Sequence, residues 1–425
     1  MSLLCKLPAL RRIAYSPGKL AFSTSCYALR KKVMFPGALN SDYSHTLEFV
    51  SNVQSIPTYQ VMDTDGKVLD SAHDPCVTKD EARTIYKNML VLNAMDQVLY
   101  EAQRQGRISF YMTSFGEEAL IGSAAALHPK DMVFGQYREA GVLLQRGFTL
   151  AQFMNQCYSN ELDLGKGRQM PIHYGTKELC FQTISSPLAT QIPQAAGAAY
   201  AMRREGNKQC TICYFGEGAA SEGDFHAGLN MAATLGCPVI YYCRNNGYAI
   251  STPSIEQYRG DGIASRGIGY GIDTIRVDGN DIWAIYAATK AAREIAVEQN
   301  KPVLIEAMTY RVSHHSTSDD SSAYRSKKEV EDWSKRDNPI SRMRAWLENK
   351  GWWARGEDAE VSKTAKAEVL AAFAAAEKLK KPAIRHLFED VYDEIPQSLM
   401  KEKAEIEELV KKYPDYYQVN EFARQ

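Results

Sequence analysis

The stretch Cys210-Thr-Ile-Cys-Tyr-Phe-Gly216-Glu217-Gly218, taken with Asn245-Asn246-Gly247-Tyr248 downstream, decides how the chain is read. Residues 210–215 form an apolar run of strand type, and Gly216-Glu217-Gly218 is the turn that leaves it. A helical pattern covers 221–235, Gly236 stops it, and 238–243 is a second apolar run. Strand, turn, helix and strand follow one another, with polar residues at the carboxyl end of both strands. In an open parallel sheet that edge is where ligands bind. Gly216 and Gly218 let the backbone approach a ligand closely and open a helix whose N-terminus favours an anion. Glu217 and Asn246 are hard oxygen donors of the kind Mg²⁺ takes, with other positions left to phosphate and water. A metal-bridged diphosphate suits this chemistry. On spacing alone the same residues also make a turn with an exposed glutamate and an Asn-Gly turn.

Composition bounds the rest. With 425 residues, 45% hydrophobic and 24% charged, the chain can bury a large core. Its 50 basic and 51 acidic residues leave a formal charge of −1, which suggests neither nucleic acid nor an anionic membrane. No run of eighteen apolar residues occurs, so no membrane insertion is expected. Residues 1–41 carry Lys6, Arg11, Arg12, Lys19, Arg30, Lys31 and Lys32, several serines and no acid before Asp42. That pattern is a mitochondrial transit peptide with a basic arm, and implies the matrix. The nine cysteines form no regular framework, and Cys210-x-x-Cys213 lies within a strand pattern without a second pair.

Residues 42–77 read as an extended arm with a hairpin over 62–68, turning at Asp65-Gly66. Thr78-x-x-Glu81 is a capping box, and Ile85, Met89, Leu92, Met95 and Leu99 make one face of a long helix ended by Gly106. Ser114-x-x-Glu117 predicts a cap for a second, small-residue helix over 119–126. Asp131-Met-Val-Phe-Gly is a short strand, followed by Gln136-Tyr137-Arg138, where Arg suits a phosphate or a surface ion pair. Gly165-Lys-Gly-Arg-Gln-Met-Pro-Ile-His173-Tyr-Gly175 is basic and glycine-rich but lacks the Gly-Lys-Ser/Thr of a phosphate loop. Thr183-Ile-Ser-Ser-Pro-Leu-Ala-Thr-Gln-Ile-Pro193 precedes a small-residue helix at 195–201 and reads as a capped helix start.

Residues 273–279 are a strand, 280–299 an amphipathic helix and 302–311 another strand. This alternation predicts an α/β fold with a doubly wound parallel sheet. A nicotinamide-type domain is disfavoured, since no Gly-x-Gly-x-x-Gly occurs. The last strand leads into Arg311-Val-Ser-His-His-Ser-Thr-Ser-Asp-Asp-Ser-Ser-Ala-Tyr-Arg-Ser326, which on residue types is a solvated loop or a catalytic one. The remaining hundred residues are helical over 338–350, 357–380 and 399–412, their charge runs being solvated faces. The domain reading is therefore 1–41 leader, 42–77 arm, 78–326 α/β domain including the loop 311–326, and 327–425 helical region.

Several of these motifs carry a resemblance. Gly216-Glu217-Gly218, twenty-six residues and Asn245-Asn246 resemble the thiamin-diphosphate motif of transketolase-like enzymes, with Glu217 where that motif usually has Asp. Gly135-Gln-Tyr-Arg-Glu-Ala-Gly141 resembles a diphosphate-binding segment of 2-oxo acid dehydrogenases. His314-His-Ser-Thr-Ser-Asp-Asp-Ser-Ser-Ala-Tyr-Arg-Ser326 is similar to the phosphorylation loop of the α subunits of branched-chain 2-oxo acid dehydrogenases. Pyruvate dehydrogenase α chains have a related but different loop. With Ser-Ser-Pro-Leu-Ala-Thr-Gln and Cys-Arg-Asn-Asn-Gly-Tyr-Ala-Ile-Ser-Thr-Pro, the similarity runs from about residue 40 to the C-terminus.

The resemblance implies a thiamin-diphosphate-binding fold with Mg²⁺ held by Glu217, Asn246 and the Tyr248 carbonyl. It implies cofactor contacts from Tyr137, Arg138, Ser186, Leu188, Gly216, Glu217, Gly218, Arg244, Asn246 and His315, with His315 catalytic. Ser185, Pro187, Thr190 and Gln191 would hold K⁺, and Ser316 and Ser326 would be phosphorylated. The implied reaction is oxidative decarboxylation of branched-chain 2-oxo acids such as 2-oxoisovalerate. The acyl group would pass to the lipoyl-bearing transferase core of the complex. The implied partners are a β subunit, in an α₂β₂ heterotetramer, and a regulatory kinase and phosphatase. Two other readings stand beside it: a pyruvate-specific α subunit, and a non-catalytic Mg-diphosphate-binding scaffold.

Overall fold

A computed structural model describes residues 46–51, 54–206 and 208–423, so the leader expected over 1–41 lies outside the described residues. From Ser55 onward the chain forms one compact unit. Its strands are β1 (Thr58–Tyr59), β2 (Met132–Phe134), β3 (Phe181–Gln182), β4 (Thr211–Gly216), β5 (Val239–Asn245), β6 (Tyr248–Ala249), β7 (Thr252–Pro253), β8 (Asp273–Asp278) and β9 (Val303–Met308). Seven of them make one sheet in the order β1-β8-β9-β5-β4-β2-β3, every neighbouring pair parallel, while β6 and β7 form a small antiparallel hairpin.

The apolar runs are continuous rather than alternating because a parallel sheet wound with helices is buried on both faces. In β4, Ile212 and Tyr214 enter one core while Cys213 and Phe215 enter the other. In β5, Ile240 and Tyr242 divide from Val239, Tyr241 and Cys243 in the same way. Cys213 is thus a buried strand residue and Cys210 a buried residue just before β4, both without a disulfide. One face is covered by the helices Gln191–Glu205 and Gly223–Leu235, which carry Ile192, Ala196, Phe225 and Leu229 into that core. The other is covered by the helices Lys79–Arg104, Ile282–Gln299 and Pro339–Asn349. Trp283 and Trp346 meet there with ring centroids 4.8 Å apart.

Local signals hold at most ends. Thr78 and Glu81 make both bonds of the capping box, and the five apolar residues expected on that helix are buried. The hairpin expected over 62–68 is present as an antiparallel bridge between Met62 and Val68. Arg342, fully buried, joins the helix Pro339–Asn349 to the end of β8, lying 2.8 Å from Asp278 and 3.1 Å from Asp337.

Three expectations are corrected. Ser114-x-x-Glu117 caps nothing: the chain forms a short 3₁₀ turn, Glu118–Leu120, and a five-residue helix, Ile121–Ala125, with no side-chain cap. Glu117 is drawn instead into a buried ion cluster. Gly216-Glu217-Gly218 does not open the helix directly, because a 3₁₀ turn, Ala219–Ser221, intervenes and Glu222 is extended before the helix begins at Gly223. The helix start read as capped over 183–193 has no side-chain cap, and the Thr190 hydroxyl at its N-terminus bonds back to the Pro187 carbonyl at 3.0 Å.

The close packing of the two helices on one face depends on Gly228, where an added Cβ would lie 2.7 Å from Ile192 Cγ2 and 3.0 Å from Pro193 N. Gly228→Val is expected to lower stability by about 1–3 kcal/mol through overpacking, read as a shift in the denaturant midpoint.

Candidate active site

The strand register builds the site. Phe134 pairs with Cys213, Gly216 with Arg244, and Asn245 with Met308, so β2, β4, β5 and β9 end side by side. Their outgoing segments, 136–139, 216–218, 244–248 and 309–315, therefore converge on one edge. Gln136 Oε1 accepts from the Gly216 amide at 2.8 Å, tying the first two together.

Beneath this edge lies a buried charge cluster. Arg244, 2% exposed, stands between Glu117 and Glu139: its Nε is 2.5 Å from Glu117 Oε2, and Nη1 bonds Glu139 Oε1. Arg138, also 2% exposed, has its Nε 3.6 Å from Glu117 Oε1 and donates Nη1–H to the Thr113 carbonyl. Glu139 in turn accepts from the amides of Gln136 (2.6 Å) and Arg138 (3.2 Å), so it shapes the segment it belongs to. Two buried guanidiniums face two buried carboxylates; Arg244 also lines the cavity, whereas Arg138 spends Nη1 on the Thr113 carbonyl and Nη2 on the His315 carbonyl.

Glu217 has the character of a cation ligand. It is 1% exposed, and among the described residues its Oε1 has no hydrogen-bond partner while Oε2 accepts weakly from the Asn246 amide at 3.4 Å. Burial, reinforced by the charge on Glu117, pushes its carboxyl up to about 7. Asn246 donates Nδ2–H to Glu117 Oε1 at 3.1 Å, and its Oδ1 accepts from the Tyr248 amide at 3.3 Å. A Cβ on Gly216 would meet nothing closer than the Arg244 carbonyl at 3.9 Å, so its absence leaves open space at the cavity wall. An orphaned buried carboxylate oxygen, an adjacent amide oxygen and the Arg244 guanidinium fit a Mg²⁺-bound diphosphate.

His315 lies across the cavity, its ring edge-on to Tyr137 with centroids 5.6 Å apart. Arg138 Nη2 and Arg311 Nη1 each lie 3.4 Å from Nδ1, and Arg138 Nη2 donates to the His315 carbonyl at 2.6 Å. Burial, Arg138 and Arg311 together push its pKa down to about 3, so the imidazole is neutral at pH 7. A guanidinium only donates, so Nδ1 is the acceptor and Nε2 carries the proton.

The loop that carries His315 is ordered by groups the motif reading passed over. Asp319 Oδ2 accepts from the His315 amide (2.8 Å) and the Tyr324 hydroxyl (2.6 Å). Arg325 donates to the carbonyls of Arg311, Val312 and Ser313. Thr317 bonds the Tyr111 backbone. Ser316 is half-buried, and its Oγ accepts from the Ser318 amide at 3.2 Å. Ser326 is exposed and N-caps the helix Lys327–Arg336.

The opposite wall comes from the segment before the helix Gln191–Glu205. Ser186 Oγ lies 2.7 Å from His173 Nε2, which brings the two distant loops together. Leu188 is 39% exposed. Ser185 and Pro187 are also exposed, whereas Gln191 is buried and spends its amide on the Tyr214 carbonyl at 3.0 Å. Ala189 (φ 65°) and Ile250 (φ 55°) hold left-handed backbone beside the cavity, a strain on the order of 1–2 kcal/mol per residue.

One cavity of about 570 Å³ is lined by Tyr137, Ser186, Leu188, Gly216, Glu217, Gly218, Arg244, Asn246, Tyr248 and His315 together with His173. Arg138 stands behind this wall, touching it through His315. The residues the sequence reading missed are Glu117, Gln136, Glu139 and Arg311. Gln136 and Glu139 flank Tyr137-Arg138, and their position at a strand end is the signal that marks them. Glu117 has no such signal, because its contacts are long-range.

The family described as Dehydrogenase E1 component matches residues 86–385. The chain is 57% identical over 398 residues, 93% of its own length and 89% of the relative's, to 2-oxoisovalerate dehydrogenase subunit alpha, mitochondrial, of Homo sapiens. It is 56% identical to the protein of that name from Dictyostelium discoideum, over 90% of this chain and 88% of the relative. It is 51% identical to 2-oxoisovalerate dehydrogenase subunit alpha 1, mitochondrial, of Arabidopsis thaliana, over 90% of this chain and 82% of the relative.

A carboxyl raised from 4.5 to about 7 in the folded chain binds more protons there than when unfolded, so Glu217 costs stability as pH rises through that window. Without divalent cation, Glu217→Gln is expected to be more stable than wild type at pH 8 by on the order of 3 kcal/mol, with little difference at pH 4. Denaturant unfolding at the two pH values checks this.

Proposed function

The chain belongs to the dehydrogenase E1 component family, and we propose that its sheet-edge cavity is the thiamin-diphosphate half-site of a mitochondrial decarboxylase of branched-chain 2-oxo acids. Its activity is the oxidative decarboxylation of 2-oxoisovalerate and related acids. The observation that carries the site assignment is the unpartnered Glu217 oxygen beside Asn246, next to Arg244, with neutral His315 facing the same cavity. The reported relatives carry the 2-oxoisovalerate name, which favours this over the pyruvate-specific reading, and an equipped cavity disfavours a silent scaffold.

Glu217, Asn246 and the Tyr248 carbonyl hold Mg²⁺, and Tyr137 and Arg244 receive the diphosphate; Arg138, expected as a third contact, instead stands behind the wall with its guanidinium bonded to the Thr113 and His315 carbonyls. Thiamin diphosphate, when bound, supplies the electron sink that lets a 2-oxo acid lose CO₂. Gly216 leaves room for it, and Gly218 lines the same cavity although its missing Cβ makes way for Ala249, while Ser186 and Leu188 flank the cofactor rings. Ser185, Pro187, Thr190 and Gln191 hold K⁺, which stiffens the strained loop around Ala189. His315 keeps its proton on Nε2 and offers it as a neutral donor to the substrate oxygen. Burial, reinforced by the two arginines beside Nδ1, keeps the imidazolium from forming. The residues facing the cavity bind, orient and exclude water; the acyl group leaves to a lipoyl group of the transferase core.

The reported relatives are named as subunits, which supports a split site completed by a β subunit in an α₂β₂ assembly. The domain reading, an α/β cofactor domain over 78–326 with a helical region beyond it, belongs to this proposal. A kinase and a phosphatase act on the loop. A phosphate on Ser316 places about −1.5 to −2 charges next to His315. Asp319, which orders the loop through the His315 amide and itself donates its amide to the Ser316 carbonyl at 3.2 Å, would be repelled. Ser326, an exposed helix cap, is the secondary site.

CO₂ release from 2-oxoisovalerate is expected only when the chain is co-expressed with a β-type subunit; turnover by this chain alone would overturn the half-site reading. In the assembled enzyme, Ser316→Glu is expected to cut turnover by roughly 10²-fold or more, the scale of a lost acid–base group. A steady-state assay on 2-oxoisovalerate measures it.

A further inference from the structure

We propose that Glu117 is a positioning residue that couples the metal ligand Asn246 to the phosphate-binding Arg244. Its carboxylate is 3% exposed and touches three groups of the site. Oε1 accepts from Asn246 Nδ2 at 3.1 Å, Oε2 lies 2.5 Å from Arg244 Nε, and Arg138 Nε stands 3.6 Å from Oε1. No other carboxylate among the described residues meets all three.

The consequence concerns the Asn246 amide. Its two ends differ only in that one donates and the other accepts, and a cation needs the accepting end. A buried carboxylate can only accept, so the bond to Glu117 holds Nδ2 on that side and leaves Oδ1 for the cavity. Turned over, the amide would set its oxygen against Glu117 and its N–H against the metal, unfavourable on both sides. The same carboxylate anchors Arg244, so the metal ligand and the diphosphate ligand share one support. Outer groups that orient ligands in this way typically contribute 10- to 100-fold in metal affinity.

This inference rests on the reading that Glu217 and Asn246 hold the cation, and the experiment separates the two. Mn²⁺ binding is followed by electron paramagnetic resonance in the chain assembled with its β-type subunit, at saturating thiamin diphosphate. Glu117→Ala is expected to weaken Mn²⁺ by about 10-fold or more, while Glu117→Gln, whose oxygen can still accept from Asn246, stays within about threefold of wild type. Equal losses in the two variants, or none in Glu117→Ala, would overturn the proposal. If Glu117→Ala fails to assemble, the exchanged pair Glu117→Gln/Asn246→Asp decides. In that pair the hydrogen bond reverses direction, and it should bind Mn²⁺ more tightly than Asn246→Asp alone; no gain would overturn the coupling. Glu217→Ala serves as the control, and unaltered Mn²⁺ binding there would sink the metal-site reading itself.

Discussion

Two guanidiniums are buried at the edge of this sheet, and the site depends on their neutralisation. An uncompensated buried charge costs several kcal/mol, so Arg244 requires Glu117 and Glu139 on either side of it. Those glutamates come from separate segments: one precedes the 3₁₀ turn Glu118–Leu120, the other follows β2. Satisfying the charge therefore fixes the relative positions of three chain segments. Asn246, Gln136 and the Tyr137-Arg138 backbone then take their places by hydrogen bonds to the same carboxylates.

The same low-dielectric setting tunes two of the titratable groups that face the cavity, Glu217 and His315, in opposite senses. Glu217 is deprived of solvent and has a carboxylate neighbour, so it resists ionising until a cation arrives. His315 is deprived of solvent and has arginine neighbours, so it resists protonation. One group waits for a positive charge and the other stays neutral with a proton to share. Burial sets both directions, and the sign of the neighbouring charge reinforces each.

Much of this was legible in the chain. The continuous apolar runs at 210–215 and 238–243 gave away strands buried on both faces, and β–α alternation gave the parallel sheet. Gly216-Glu217-Gly218, Gly135-Gln-Tyr-Arg-Glu and the loop 311–326 marked three of the segments that meet at the edge. Where local reasoning went astray, it assigned a local job to a side chain with a distant partner. Glu117 fits a capping box by spacing, yet a buried arginine on β5 outcompetes a backbone amide for its carboxylate. The helix start after 183–190 reads as capped as well, yet the Thr190 hydroxyl there turns back to the Pro187 carbonyl.

The sequence by itself determined the strands, the helices that cover them and the residue types at the sheet edge, because hydrophobic period and turn chemistry act over a few residues. It also carried the family, because the motifs are contiguous. The tertiary structure alone decided which ionisable groups share a low-dielectric space, which nitrogen of His315 holds the proton, and which way the Asn246 amide turns. These are set by distances between segments more than a hundred residues apart, such as Glu117 with Asn246 and Arg138 with His315. Coulomb and hydrogen-bond energies depend on separation in space, which the order of residues along the chain does not express.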